Sequence, residues 1–192
     1  MKKLNQSITI SFMGVDGAGK TTLAKNIKKF FVKSKYLHLK PYILFKDYRT
    51  VIKNPHKYKK STSFESFLRL ISWLISYKVF FFINKNNRLY IFDRYVHDIL
   101  VDPLRYRHNL SVGLTKIILS FFPIPDLWIF LKPSFKTIKS RKVELPDDEL
   151  KRQIKEYSKF FKNKKNVLLI DKNIQCKKLT SIIVKKMNSF IK

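Results

Sequence analysis

The residues best suited to do chemistry lie close together near the amino terminus. Lys20 and Thr21 end a pattern of glycine, four residues, glycine, lysine and a hydroxyl residue. In such a turn, backbone N–H groups converge on phosphate oxygens, the lysine reaches the β- and γ-phosphates, and the hydroxyl ligates Mg²⁺. The pattern therefore predicts a loop that holds a triphosphate tail and its Mg²⁺, built from Gly14, Asp16, Gly17, Ala18, Gly19, Lys20, Thr21 and Thr22.

The neighbouring sequence supports this interpretation of the loop. The apolar run Ile8 to Met13 precedes it, and a stretch of helical period begins at Lys20. The pattern is credible when strand, loop and helix follow one another in this order. Three of the four glycines of the chain lie in the loop, so they do not reflect a glycine-rich composition. A glycine turn that binds no phosphate is the alternative.

Asp16 puts a carboxylate inside a loop that is expected to bind phosphate. An anion beside phosphate is unfavourable unless it also faces a cation or the acceptor. Two roles are open for Asp16. It orders Mg²⁺-bound water or a basic residue of the site, which would make it part of the catalytic machinery, or it is a solvated loop residue.

A second pair of charged residues, Asp93 and Arg94, ends the apolar run that begins at Leu89. Open α/β sheets bind their ligands at the carboxyl ends of their strands. Phosphoryl transfer depends mostly on positioning and charge neutralisation. We therefore predict catalytic roles for Lys20, Asp93 and Arg94, with Asp93 joining Thr21 at the metal and Arg94 binding the acceptor's phosphate. An ion pair that caps the strand end is the alternative.

The order of apolar and helical segments predicts the architecture. Helical stretches are expected at about Lys20 to Val32, Phe64 to Asn84, Tyr95 to Val101, Leu114 to Phe122, Ser134 to Lys142, Asp148 to Lys162 and Cys176 to Ile191. Five buried strands are expected at Ile8 to Met13, Tyr42 to Phe45, Leu89 to Phe92, Leu127 to Leu131 and Val167 to Ile170. This alternation predicts an α/β fold with a parallel sheet and helices on both faces. No low-complexity linker divides the chain, so one domain over residues 1–192 is expected.

The composition is that of a folded and strongly basic chain. Of its 192 residues, 41 are Lys or Arg and 13 are Asp or Glu, which gives a net charge of +28. The hydrophobic fraction of 45% is too high for a disordered polycation. A/T-biased coding explains a lysine-rich surface, and a surface selected for nucleic acid or anionic lipid is the alternative. We predict no obligatory nucleic-acid partner.

Several other classes of protein are disfavoured. There is a single cysteine, and the four histidines are scattered without metal-ligand spacing. The most apolar segment, Phe64 to Ile83, is interrupted by Arg69 and Lys78, so no transmembrane segment is predicted. The first apolar run is too short for a signal peptide. We therefore expect a cytoplasmic protein.

With these motifs the chain resembles the thymidylate kinase family of P-loop nucleoside monophosphate kinases. The acidic loop, the Asp93-Arg94-Tyr95 motif and Pro125-Asp126-Leu127 leading to Arg141 match that family in order and spacing. The resemblance implies a five-stranded parallel sheet in the order 2-3-1-4-5, with ATP and Mg²⁺ as cofactors. It also implies Arg94 and Tyr95 at a small-molecule phosphate acceptor, Arg141 against the ATP base beside a short lid at about 143–148, and a homodimer.

The acceptor-binding positions depart from that family. Its Asp-Arg-Tyr is normally followed by a serine, where this chain has Asp98, and by a base-contacting pair, where it has Asp102 and Pro103. Arg69 lies one turn before the place of an arginine that the family carries. Two acceptors are therefore open: dTMP or a related nucleoside monophosphate, and a non-nucleotide such as a sugar derivative of surface polysaccharide. For the second, Asp98 and Asp102, four apart on a helix, would project to one side and hold hydroxyls, with Asp98 as the base and Arg105 on a phosphate or carboxylate. A cluster of surface ion pairs is the alternative for these residues. A nucleotide-binding regulator without enzymatic activity is a third hypothesis.

Overall fold

The computed structural model of the chain describes residues 6–41, 60–84, 88–141, 145–171 and 176–188. The chain forms two compact units. The first unit contains Met1–His38, Lys85–Tyr95 and Pro125–Lys192, and the second unit contains Leu39–Asn84 and Val96–Ile124. That residues 1–192 act as a single P-loop kinase domain stays a prediction.

A five-stranded parallel sheet forms the core of the first unit. The strands are β1 (Ile8–Met13), β2 (Ser34–His38), β3 (Leu89–Asp93), β4 (Leu127–Leu131) and β5 (Val167–Ile170). They lie in the order β2-β3-β1-β4-β5, which confirms the predicted α/β fold and strand order. Every residue of β1, β3 and β4 is buried, as expected for strands that are covered on both faces. The prediction that β5 is buried was wrong, because it is an edge strand in which only Ile170 is buried.

Six α-helices lie in the described part of the chain. They are α1 (Lys20–Lys28), α2 (Ser63–Ile83), α3 (Val112–Ser120), α4 (Phe135–Arg141), α5 (Asp147–Phe161) and α6 (Cys176–Asn188). The second unit holds α2 and α3, and the first unit holds the other four. In the first unit α1 packs beside α6. Helix α5 buries Leu150, Gln153, Tyr157 and Phe161, whose spacing places them on one face.

The second strand of the sheet, β2, is not one of the predicted runs. The predicted strand Tyr42 to Phe45 lies outside the described residues. β2 pairs in parallel with β3, from Ser34 opposite Leu89 to His38 opposite Asp93, and lies at the edge of the sheet. Within β2 only Leu37 is buried. This strand therefore lacks the continuous apolar run by which a buried strand is recognised.

The segment after β3 is more tightly wound than predicted. In place of an α-helix from Tyr95 to Val101, a 3₁₀ helix spans Val96–Leu100, and a second one spans Leu104–Tyr106. Pro103 precedes the second helix and Arg107 ends it in a left-handed conformation, with φ of 50°. Short 3₁₀ pieces of this kind serve as connectors.

Helix α2 of the second unit carries large apolar side chains on both its buried and its exposed faces. Its N-terminus has a capping box, in which Thr62 and Glu65 satisfy each other's backbone N–H groups. Its inner face packs against aromatic rings of its own unit, with Trp73 edge-on to Tyr106 and Tyr77 edge-on to Phe122. By length and composition alone α2 could cross a membrane, with 33% of its most apolar stretch buried; core helices of folded proteins meet the same criterion.

Candidate active site

The loop between β1 and α1 requires glycine at two positions. Gly14 has a φ of 139°, and a Cβ there would lie 2.4 Å from the carbonyl oxygen of Leu131 at the end of β4. Gly19, with a φ of 90°, is the N-cap of α1 and has no side chain to cap the helix. Since the helical bonds begin with the N–H of Leu23 on the carbonyl of Gly19, the preceding amides face the loop. A helix start of this form binds phosphate.

Lys20 places its ammonium group inside this loop. Its Nζ donates hydrogen bonds to the carbonyl oxygens of Gly14 and Val15, each at 2.7 Å. The Asp16 carboxylate lies 3.9 Å from the same nitrogen. The side chain is buried, and these oxygen partners offset the cost of burying its charge. A phosphate entering the loop would therefore meet a cation that is already in position.

Asp93 joins β3 to the first turn of α1. Its Oδ2 accepts a hydrogen bond from the Thr21 hydroxyl at 2.5 Å and one from the Tyr36 hydroxyl at 2.7 Å. The parallel register of β1 and β3, in which Phe12 lies opposite Asp93, brings the carboxylate to the loop. The predicted pair of Thr21 and Asp93 is thus in direct contact. Tyr36 was missed by the sequence analysis because it lies on β2, which was not recognised as a strand.

Arg94 turns its side chain back toward the phosphate-binding loop. Its backbone is left-handed, with a φ of 71°, and its N–H bonds the carbonyl of Phe12 at 3.0 Å. One terminal guanidinium nitrogen donates to the Asp16 carboxylate at 2.5 Å, and the other donates to the Tyr157 hydroxyl at 3.3 Å. Both Arg94 and Tyr157 are buried. The guanidinium is therefore held in one orientation from two sides.

Asp16 lies against the basic residues of the site, and its catalytic role stays a prediction. Its carboxylate lies against a basic residue of the site, Arg94, and close to a second one, Lys20. Its side chain is 22% exposed, so it is not a freely solvated loop residue. Tyr157 was not predicted, since one tyrosine on an amphipathic helix carries no signal beyond that of a core residue.

Arg69 belongs to a separate set of polar residues in the second unit. Its guanidinium donates to the carbonyl of Tyr106 and, at 2.6 Å, to the hydroxyl of Ser61. The N–H of Ser61 in turn bonds the carbonyl of Arg107 at 2.8 Å. Arg69 thus ties α2 to the end of the second 3₁₀ helix. Its predicted contact with the acceptor stays a prediction.

Asp98 and Asp102 are also engaged within the second unit. Asp98 is fully buried and accepts a hydrogen bond from the Tyr106 hydroxyl at 2.6 Å. Asp102 is buried as well, and its carboxylate accepts from the backbone N–H of Arg105 at 3.2 Å and from Nε of Arg105 at 3.1 Å. The N–H of Asp102 bonds the carbonyl of Asp98 at 2.9 Å. These carboxylates therefore fix the shape of residues 98–106 and are not a cluster of surface ion pairs.

His108 lies beside this set and is buried. Its Nε2 is 2.8 Å from the Thr115 hydroxyl, at the start of α3. Burial, together with the nearby positive charge of Arg69, lowers the pKa of His108 from 6.5 to about 4. The ring is therefore neutral at physiological pH, which suits a structural contact.

Comparison with known proteins yields similarity at the level of the fold. No protein-family profile and no curated protein sequence matches the chain. Among solved structures, the thymidylate kinase of Candida albicans has a TM-score of 0.65 at 17% identity, over 98% of this chain and 93% of its own. The deoxyadenosine kinase of M. mycoides with bound dATP has a TM-score of 0.60 at 23% identity, over 94% and 99%. The thymidylate kinase of Ehrlichia chaffeensis has a TM-score of 0.58 at 15% identity, over 94% and 98%.

The chain has the fold of these kinases. Within that kinase fold, Tyr95 is a core residue of the first unit. It is fully buried, and its ring packs edge-on against Phe92 and Trp128. Burial, with a smaller contribution from Asp126, raises the pKa of Tyr95 well above its ordinary value. A direct contact of Tyr95 with the acceptor stays a prediction.

The predicted lid of this kinase fold is described in part. Arg141 is the last residue of α4, and residues 142–144 lie outside the described part of the chain. Asp147 and Asp148, predicted as the end of the lid, form the first turn of α5. Lys139 of α4 and Asp147 form an ion pair at 2.7 Å, which links the two helices that flank the segment. The roles of Arg141 and of a lid that closes stay predictions.

Proposed function

We propose that the protein is an ATP-dependent phosphotransferase of thymidylate kinase type, which transfers the γ-phosphate of ATP to dTMP or a related nucleoside monophosphate. The observation that carries the proposal is the contact of Arg94 with Asp16, at 2.5 Å. This contact holds the Arg94 guanidinium, which would bind the acceptor's phosphate, against the loop that would bind the donor. The fold shared with two thymidylate kinases and a deoxyadenosine kinase supports the proposal.

On the donor side, the loop and the start of α1 would bind the triphosphate. The amides of the first turn of α1 supply hydrogen-bond donors and the positive end of the helix dipole. Lys20 would exchange its two carbonyl partners, Gly14 and Val15, for phosphate oxygens. Donors that are fixed before the reaction stabilise the charge that develops on the phosphoryl group without further reorganisation.

On the acceptor side, Arg94 would bind the phosphate that receives the group. A guanidinium matches the geometry of a phosphate better than an ammonium, because it is planar and forked. Asp16 and Tyr157 are the positioning residues that hold it. An oxygen of the acceptor phosphate would then bond the γ-phosphorus of ATP, while the bond from that phosphorus to the β–γ bridging oxygen breaks and ADP leaves.

The residues at the loop fit a magnesium ion. Oγ1 of Thr21 and Oδ2 of Asp93 are 2.5 Å apart and are the oxygen donors that Mg²⁺ prefers. In the described residues there is no group of three or more His, Cys, Asp or Glu side chains that could hold a metal by themselves. Two protein ligands suit Mg²⁺, which is usually bound jointly by the protein, the phosphates and water. When bound, the ion would neutralise charge on the β- and γ-phosphates.

The choice of acceptor rests on Arg94 and not on the second unit. Asp98 and Asp102, which were predicted to hold a hydroxyl-rich acceptor, are buried and bonded to Tyr106 and Arg105. In this arrangement they are positioning residues for their own segment. A sugar derivative or another hydroxyl acceptor is the alternative. The structurally similar deoxyadenosine kinase, which is named for a nucleoside, has the same fold and favours keeping this alternative.

A coupled ADP-release assay tests the proposal. The panel contains dTMP, the other nucleoside monophosphates, deoxyadenosine and several sugars, each with ATP and Mg²⁺. We expect turnover of a monophosphate at roughly 1–100 s⁻¹, abolished by Lys20→Ala and retained by Lys25→Ala, which changes an exposed lysine of the same helix. Turnover of hydroxyl acceptors alone would overturn the monophosphate assignment, and absence of Mg²⁺-dependent ATP binding would overturn the kinase assignment.

We also propose that the protein is a cytoplasmic homodimer that associates through its second unit. Of the fifteen exposed large hydrophobic side chains in the described residues, eleven lie in that unit. An exposed apolar surface of this kind marks a contact site. Light scattering should give a dimer for the wild type and a monomer for the double variant with Phe82→Asp and Ile117→Asp. The control Phe30→Asp, in the first unit, should stay dimeric. A monomeric wild type would exclude the dimer. The surface includes Phe64, Phe67 and Phe82 of α2, Val112 and Ile117 of α3, and Phe121.

A further inference from the structure

A cleft in the first unit is lined by lysines and contains no residue of the candidate active site. It has a volume of about 580 Å³. Its walls are the end of β4, the start of α4, one flank of α5 and the residue that follows β5. Lys132, Lys151 and Lys155 line it together with Phe135, Ile154 and Asp171. The volume lies within the range of small-molecule sites, roughly 300–1,000 Å³.

The three lysines of this cleft, Lys132, Lys151 and Lys155, form no salt bridge with a carboxylate of the described residues. Lys151 instead places its ammonium 5.6 Å from the centre of the Phe135 ring. Asp171 is the single acidic residue of the lining, so the lining has a net charge of +2. Like charges gathered in one concave surface repel each other and attract a multivalent anion.

The chemistry of the rest of the lining narrows the kind of ligand. Phe135 and Ile154 add apolar surface to the lining, beside lysines whose aliphatic stems are also apolar. Ser134 and Ser158 also line the cleft, but their hydroxyls are bonded within the protein, that of Ser158 to the carbonyl of Ile154 at 2.7 Å and that of Ser134 to the Thr137 hydroxyl at 2.9 Å. The lysines are therefore the groups that would bind an anion. We propose that this cleft binds a phosphorylated small molecule that carries at least two negative charges, at a site separate from the phosphate-binding loop.

A ligand in this cleft would also contact the helices that serve the candidate active site. Helix α5 carries Lys151 and Lys155 on one flank and, on its buried face, Tyr157, which holds Arg94. Helix α4 contributes Phe135 and ends at Arg141. Any effect of such a ligand on phosphoryl transfer would act through these helices and rests on the proposed function, whereas the binding site itself does not.

Titration with pyrophosphate separates the cleft from the loop. The experiment uses the Lys20→Ala protein at 0.15 M salt, where the loop site is disabled and exposed charges are largely screened. A matched pair of triple variants is made in that background. One replaces Lys132, Lys151 and Lys155 by glutamine, and the control replaces Lys177, Lys178 and Lys185, which are exposed on α6. Both lower the net charge by the same amount, and circular dichroism checks that both fold.

The proposal requires that Lys20→Ala still binds one equivalent of pyrophosphate. The cleft variant should then bind at least about tenfold more weakly, since the loss of one charge-assisted contact already has that effect, while the control stays within about twofold. Absence of binding to Lys20→Ala, or equal weakening in both triple variants, would overturn the proposal. Failure of the proposed function would give a different result, in which the wild type has no additional binding site that depends on Lys20.

Discussion

Replacing Asp16 by asparagine tests the link between the donor loop and the acceptor-binding arginine. The side chain keeps its shape and an oxygen that can accept from Arg94, but it loses its charge. The carboxylate is 2.5 Å from the guanidinium of Arg94 and 3.9 Å from the ammonium of Lys20. The substitution therefore weakens the hold on the first cation and removes a competing anion from beside the second.

The two contacts predict different effects of the substitution on kcat/KM for the acceptor and on affinity for ATP. A hydrogen bond between charged groups contributes about 1.5–3 kcal/mol and a neutral one about 0.5–1.5 kcal/mol, so Arg94 loses about 1–1.5 kcal/mol of positioning. This corresponds to roughly tenfold in kcat/KM for the acceptor. The attraction of Asp16 to Lys20 over 3.9 Å is about 4 kcal/mol at an effective dielectric constant of about 20, before solvent screening of the partly exposed carboxylate. Its loss leaves Lys20 more available, so affinity for ATP should stay the same or rise.

Steady-state kinetics with varied acceptor, and calorimetric titration with Mg·ATP, measure the two effects separately. Glu156→Gln is the matched control, because it removes the same charge from an ion pair with Lys159 at 2.7 Å that lies on the outer side of α5. An Asp16→Asn protein with unchanged acceptor kinetics and weakened ATP binding would refute the assignment of Asp16 to Arg94. Equal changes in Asp16→Asn and Glu156→Gln would show that only the net charge matters.

Three further substitutions or conditions test other parts of the site and the fold. Tyr157→Phe removes the second partner of the Arg94 guanidinium. It should raise the activation free energy, measured from kcat/KM for the acceptor, by about 1–3 kcal/mol. The melting temperature, measured alongside, separates this effect from a loss of stability. Gly14→Ala places a Cβ 2.4 Å from the carbonyl oxygen of Leu131 and should destabilise the fold by about 1–3 kcal/mol or more in urea unfolding; an unchanged midpoint would contradict the loop geometry. Because the pKa of His108 is lowered to about 4, the unfolded chain takes up its proton first, so stability should fall as the pH drops from about 6.5 to about 4. His108→Gln should lose that part of the pH dependence, and an unaltered profile would show that another group causes it.

The strands that the sequence predicted well are those with continuous apolar runs. β1, β3 and β4 lie inside the sheet, where a parallel strand that is covered on both faces has no solvent side on which to place polar residues. β5 also follows an apolar run, but it is an edge strand in which only Ile170 is buried. The edge strand β2 alternates exposed and partly buried residues such as Lys35 and Tyr36. Local sequence does not distinguish such a strand from a loop, since its pairing partner is supplied by the tertiary structure.

Whether a catalytic candidate could be predicted also depends on whether its contacts are local in sequence or come from the tertiary structure. The loop from Gly14 to Thr22 was predictable because its chemistry depends on residues that are adjacent in sequence. Tyr36 and Tyr157 reach Asp93 and Arg94 from β2 and α5, so their positions depend on how distant elements pack. For Asp98, the expectation of an α-helix placed its carboxylate beside that of Asp102 on an accessible side. The 3₁₀ winding and the Tyr106 hydroxyl instead turn Asp98 inward.

The meeting of two motifs that are some seventy residues apart follows from one property of the sheet. β1 and β3 are parallel neighbours in a register that sets Phe12 opposite Asp93, so their carboxyl ends stop at the same level. Past that level each chain must turn, and both turns use left-handed backbone, at Gly14 in one and at Arg94 in the other. The turn at Arg94 is anchored by its N–H on the carbonyl of Phe12. An L-residue in that conformation is costly, and here the cost is offset because the turn aims the guanidinium at Asp16. A change in the β1–β3 register by one residue would point Asp93 to the other face and separate it from Thr21. The sheet register is therefore as much a determinant of the proposed chemistry as the motifs themselves.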